Sequence, residues 1–126
     1  LRLWHEKLIP YLDNQRLLGQ HRECSALRGL GWGKKHATVN YVFTYKPARL
    51  FEYHYKVMME MKNRGFNISP EWLNAFYRGK RSESWSYNDF GLYKGTSPIY
   101  PEHDEDYMQE CLLNLEGKGI QIIFYN

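Results

Sequence analysis

The sequence predicts an all-α, or mostly α, fold: a single domain over residues 1–126, with three main helices and long loops. Three observations predict it. Apolar residues recur at helical spacing in three segments, near 14–28, 47–63 and 102–116. Each segment carries helix punctuation at its start. Outside them, only the short stretches 36–44 and 120–125 have the β-branched and aromatic content of a strand. No internal repeat divides the chain, and its length suits one hydrophobic core.

Each element follows from local chemistry. Asp13 is the expected N-cap of the first helix, over about 14–28. Leu17, His21, Cys24 and Arg28 form one stripe along it, and Leu18 and Leu27 widen the apolar side. Gly29, Gly31 and Gly33 end this helix and open a loop that carries Lys34 and Lys35. The stretch "HATVNYVFT", 36–44, reads equally as a strand or a short helix. Pro47 suits the first turn of the second helix, about 47–63, and Gly65 its stop. Leu50, His54, Val57, Met58 and Met61 mark its buried side, and a buried, hydrogen-bonded role suits His54. Pro70 opens a short helix expected to hold Trp72 and Phe76. Residues 78–100 form a long polar and aromatic loop, a length that usually carries function or mobility. The third main helix is expected over 102–116, with Glu102, Asp104, Glu105 and Asp106 favourably placed against its dipole. Tyr107, Met108, Cys111, Leu112 and Leu115 give it a core face. Residues 120–125, "IQIIFY", read as a short strand or an extended tail.

Composition narrows the function classes. No apolar run approaches the roughly 20 residues of a membrane span. Arg2, Glu6 and Lys7 stand where a secretory signal would be apolar. Cys24 and Cys111 are in no metal or redox spacing, so free thiols and a cytoplasmic location are expected. Charge is uneven. Residues 1–65 hold 12 Lys/Arg against 5 Asp/Glu, and residues 66–126 hold 5 against 9. The first half is therefore the candidate anion-binding surface, unless the fold mixes both halves on every face.

Three features carry candidate chemistry. Glu23 follows Arg22 on the first helix, with Gly19 and Ala26 as near neighbours. Glycine inside a helix costs about 1 kcal/mol relative to alanine, so Gly19 needs a reason. Either another helix packs closely there, or a ligand approaches the carboxylate. Second, an α-amino group with a pKa near 8 is far more often unprotonated at neutral pH than a lysine near 10.4. Arg2 would depress the Leu1 amine further, making it a candidate imine-forming nucleophile. Third, Lys34 and Lys35 follow Gly31, Trp32 and Gly33, an arrangement that suits phosphate contacts or a plain basic turn. Trp32 would stack on a base, wedge into a duplex, or sit half-buried. His21, His36 and His54 are not spaced as metal ligands, and no cofactor is indicated. The 85–94 segment interleaves aromatic and charged residues, which suits nucleic acid or a loop pinned to the core.

The order of these motifs resembles the pyrimidine-dimer DNA glycosylases of the phage endonuclease V type. The resemblance rests on "YLDNQRLLGQHRE", then "KHATVNYVF", then "YHYKVMMEMKNRGFNI", and covers about residues 1–68. The opening "RLWHEKLIP" is similar to bacterial members. The resemblance implies one all-α domain that removes a base of a UV-induced dimer and cuts the backbone by β-elimination, without metal. Carried over, the catalytic groups are the Leu1 amine and Glu23. The DNA contacts are Arg2, Arg22 and His36, joined by Lys34, Lys35 and Trp32 from the basic loop. The implied partner is damaged double-stranded DNA, bound by a monomer. The chain departs from the phage enzyme at Leu1, where that enzyme exposes threonine, and at Arg16, where the family has histidine. Two readings stand beside it: a glycosylase or lyase for another lesion, and a non-catalytic DNA-binding module.

Overall fold

A computed structural model describes residues 2–124 of the chain. Helix accounts for 52% of the structure and no strand occurs among the described residues, so the architecture is the expected mostly α one. In chain order the α-helices are α1 (Asn14–Arg28), α2 (Pro47–Asn63), the single turn α3 (Tyr87–Phe90) and α4 (Glu105–Gly117). Short 3-10 helices occupy Glu6–Tyr11, Asn40–Thr44 and Pro70–Leu73.

The helix ends obey their local signals. The Asp13 carboxylate accepts from the Arg16 amide and caps α1, and Pro47 starts α2. Gly31 is demanded by the turn after α1, because a Cβ there would stand 2.7 Å from the Ala26 carbonyl oxygen. The third main helix begins later than its sequence suggests, at Glu105 rather than 102. Asp104 is its N-cap, accepting from the Tyr107 amide at 2.9 Å, so Glu102 lies outside the helix. The ambiguous stretch 36–44 resolves into the 3-10 turn Asn40–Thr44, and residues 120–124 are irregular.

The core joins the buried faces of α1, α2 and α4 to Leu3, Trp4, Leu8, Ile9 and Leu12 of the opening segment. On α1 the buried set is Leu17, Gln20, Cys24, Leu27 and Arg28, and His21 is only half-buried. The expected stripe is therefore rotated slightly, because Gln20 has buried partners. On α2 the buried side contains Leu50, Tyr53, His54, Val57, Met58 and Met61, as its period requires.

Arg28 explains the largest departure from the sequence reading. It is fully buried without a carboxylate among the described residues, and burial pulls its pKa down to about 10. Its guanidinium instead donates to the carbonyls of Trp72, Asn74 and Tyr77 at 2.7–2.9 Å. Those carbonyls are turned toward Arg28, so the helix opened by Pro70 stops at Leu73 and Phe76 falls outside it. The Arg28 Nη1 that donates to Trp72 also lies 3.0 Å from His54 Nδ1, and His54 Nε2 is 2.8 Å from His21 Nδ1. An arginine only donates, so His54 must accept at Nδ1 and carry its proton at Nε2, toward His21.

The 78–100 segment is pinned rather than free. Arg78 donates to the Arg28 and Gly29 carbonyls, and Trp85, Ile99 and Tyr100 are buried. Between these anchors, Tyr87 and Leu92 are exposed. No helix of the described residues is long and apolar enough to cross a membrane.

Candidate active site

Helical periodicity places Gln15, Arg16, Gly19, Gln20, Arg22 and Glu23 along one side of α1, where they form one wall of a cleft of about 380 Å³. Arg2 and Trp4 of the opening segment and Thr38 of the loop after α1 supply further walls. Asn114 of α4 and Lys118 just beyond it close the far side. Arginines from the basic first half and a lysine from the acidic second half thus surround one carboxylate. The cleft is suited to an anionic ligand that must meet a base.

Gly19 decides between the two explanations for its presence. Among the described residues a Cβ built on it would meet only the Arg22 guanidinium, at 3.8 Å, so no described helix packs against it. The glycine lies in open space beside Glu23 and widens the approach.

Glu23 is half-buried. Burial raises its carboxyl pKa, and the nearby His36 imidazole works in the opposite direction. A partly desolvated carboxylate holds a proton more strongly than one in water, which suits proton transfer. The described residues contain three side-chain ion pairs, Arg2–Glu110, Arg16–Asp13 and Arg64–Glu60, and none involves Glu23. Lys118 donates to Asn114 Oδ1 at 2.7 Å and lies 5.2 Å from the centre of the Trp4 ring. Arg22 is exposed beside the carboxylate.

The expected site residues divide into two groups. Arg2, Arg22 and Glu23 come together in the cleft, although the Arg2 guanidinium is also held by Glu110 at 3.1 Å. The Leu1 amine lies outside the described residues. Lys34, Lys35 and His36 are exposed on the loop that leads to Thr38. Trp32 is half-buried, edge-on to Phe43 and Trp85, so it stands as an aromatic anchor rather than a projecting wedge. It lines a separate hollow of about 490 Å³ with Phe43, Lys46, Arg78, Trp85 and Asp89.

Sequence reading missed Gln15, Arg16, Gln20, Thr38, Asn114 and Lys118. The first two share the helical face of Gly19 and Glu23, so spacing alone would have found them. Lys118 has no local signal, because only the packing of α4 brings it across from α1. Among the described residues, no group of three or more His, Cys, Asp or Glu side chains is placed to hold a metal ion. Both cysteines are buried free thiols, and burial raises the pKa of each.

A family model described as pyrimidine dimer DNA glycosylase matches residues 1–74, more than half of the chain. That span includes Arg2, α1, the basic loop and α2. No curated protein and no solved structure matches the chain.

Proposed function

The chain belongs to the pyrimidine dimer DNA glycosylase family, and from that premise we propose that its cleft both breaks the glycosidic bond of a damaged base and cuts the strand. The substrate is duplex DNA carrying a UV-induced pyrimidine dimer, engaged by a single copy of the protein. The cleft around Glu23 is the observation that carries this reading: a half-buried carboxylate beside an open glycine, ringed by Arg2, Arg16, Arg22 and Lys118.

The proposed nucleophile is the α-amine of Leu1. Arg2, the next residue along the chain, lines the cleft. The amine nitrogen bonds to C1′ of the damaged nucleotide as the glycosidic bond breaks; the pyrimidine takes up a proton and stays joined to its dimer partner. Loss of the N–H proton and opening of the sugar ring give an imine. Glu23 stabilises the cationic intermediates and removes a proton from C2′, and the C3′–O bond then breaks with departure of the 3′ phosphate. Water hydrolyses the remaining imine and frees the amine. Arg22 and Lys118 hold phosphates, supported at longer range by Lys34, Lys35 and His36. A dimer stacks and pairs poorly, so opening the duplex there costs less than at normal pairs.

The test is borohydride trapping with protein whose Leu1 amine is free, using irradiated, abasic-site and undamaged duplexes. A covalent adduct with irradiated DNA that becomes unable to form after acetylation of the amine supports the proposal. Glu23→Gln should bind irradiated DNA normally and lose at least a hundredfold in strand cleavage. Trapping on abasic-site DNA alone would point to a different lesion. Salt-sensitive binding with no adduct would leave a DNA-binding module.

A further inference from the structure

Imine chemistry at a chain terminus poses a mechanical problem. A terminal residue has covalent support on one side only, yet its amine must meet C1′ within about 3–3.5 Å and in the correct orientation. Residues 2–4 belong to no helix, so no regular backbone ladder holds them.

Side chains replace that ladder. The Arg2 carbonyl accepts from Gln20 Nε2 at 2.8 Å. The Leu3 carbonyl accepts from the Tyr107 hydroxyl at 2.5 Å, and the Trp4 carbonyl from the Tyr53 hydroxyl at 2.8 Å. The Trp4 amide donates to Gln20 Oε1 at 3.1 Å, and the Tyr53 hydroxyl also reaches that oxygen at 2.6 Å. Three consecutive carbonyls are thus held from three different helices, α1, α2 and α4. Gln20 is 4% exposed and Tyr53 fully buried, so water competes poorly for these bonds.

Satisfying buried backbone groups would account for some such bonds in any fold. The arrangement at Gln20 goes further. Its amide reads the segment as a neighbouring strand would, accepting from residue 4 and donating to residue 2. Backbone groups alternate sides along an extended chain, so a slip by one residue would turn both partners away. Gln20 therefore fixes register as well as position. It also stands three residues before Glu23 on α1, and both line the cleft. One rigid helix holds the carboxylate and grips the segment that carries the proposed nucleophile.

We propose that Gln20 and Tyr107 are positioning residues that aim the terminal amine at the reacting sugar. This rests on the amine chemistry above. Tyr107 adds a role for α4, which lies beyond the residues matched by the family model.

Gln20→Met keeps the side chain's length and removes its hydrogen bonds, and Tyr107→Phe removes one hydroxyl and keeps the ring. Each is compared with the unaltered protein on an abasic-site duplex by single-turnover borohydride trapping, binding anisotropy and the pH dependence of the trapping rate. The expected result is a trapping rate down about ten- to a hundredfold, with affinity and the midpoint of the pH profile unchanged. Unchanged trapping would overturn the proposal. So would a parallel loss of rate and affinity, which marks general damage to the fold. If Gln20→Met does not fold, Tyr107→Phe decides alone. Failure of the unaltered protein to form an adduct would instead overturn the amine chemistry and this inference with it, a result distinct from the others.

Discussion

Gly19→Ala should make the protein more stable and the enzyme slower. An interior helical glycine is about 0.8–1 kcal/mol less favourable than alanine, because glycine surrenders more backbone freedom on folding. That gain survives only if the added methyl group meets no obstacle. At Gly19 its single close neighbour among the described residues is the end of the Arg22 side chain, at 3.8 Å, an ordinary and adjustable contact. The full propensity gain of about 0.8–1 kcal/mol is therefore expected, which raises the melting midpoint of a domain this size by roughly 4 °C. The same methyl stands beside Glu23 in the cleft and obstructs the approach of the sugar. Strand cleavage should fall by about tenfold, the scale of a small misplacement of reacting groups. Gly31→Ala provides the contrast. Its Cβ would lie 2.7 Å from a backbone oxygen, so a loss of about 1–3 kcal/mol is expected. Calorimetric melting and a cleavage assay on irradiated duplex read both quantities. A lower midpoint for Gly19→Ala would refute the open-face reasoning, since it would mean that a neighbour packs there. A higher midpoint with undiminished cleavage would refute the functional reason for the glycine.

Two further outcomes follow from the buried polar groups. Arg28→Met removes the donors to the carbonyls of Trp72, Asn74 and Tyr77, and among the described residues only Asn74 keeps another, the Tyr77 amide, so urea unfolding should show a loss of about 3 kcal/mol or more, and a loss below about 1 kcal/mol would contradict the clip described above. Stability should also fall on acidification. Burial lowers the pKa of His5, His21, His54 and His103, the last to about 3, with His103 also feeling His5 and both His21 and His54 feeling Arg28. Below about pH 6.5 the unfolded chain takes up protons that the native imidazoles refuse, so stability present above that pH drains away as pH falls toward the native values. For His103 alone the loss between pH 6.5 and 5 is about 2 kcal/mol. Denaturant midpoints that stay level from pH 7 to pH 5 would show that these histidines are not held neutral.

Much of the helical framework was legible because its causes are local. Asp13, Pro47 and Gly65 act on their own neighbours, and the α2 period survives unchanged into the buried set Leu50, Tyr53, Val57 and Met61. The opening 3-10 helix Glu6–Tyr11 was not legible. It depends on His5 accepting from the Lys7 amide and on Arg64, far along the chain, donating to the carbonyls of Pro10 and Leu12. The short helix after Pro70 was read too long for the same kind of reason. Arg28 takes carbonyls that helix continuation would have used.

The candidate site divides along that line. Sequence alone determined that Glu23, Gly19 and Arg22 share part of a helix surface, because 3.6 residues per turn leaves no freedom in that relation. It also placed a basic loop downstream and tied residues 1–68 by resemblance to a DNA-repair family. Only the tertiary structure decided that Gly19 faces open space, that Trp32 is an anchor in a neighbouring aromatic hollow, and that Lys118 closes the cleft from α4. It alone brought Gln20, Tyr53 and Tyr107 onto residues 2–4. Periodicity reports which residues share a face. It carries no information about what lies opposite, because that depends on how separate helices share one core, and contacts between residues 3 and 107 have no signature in either neighbourhood of the chain.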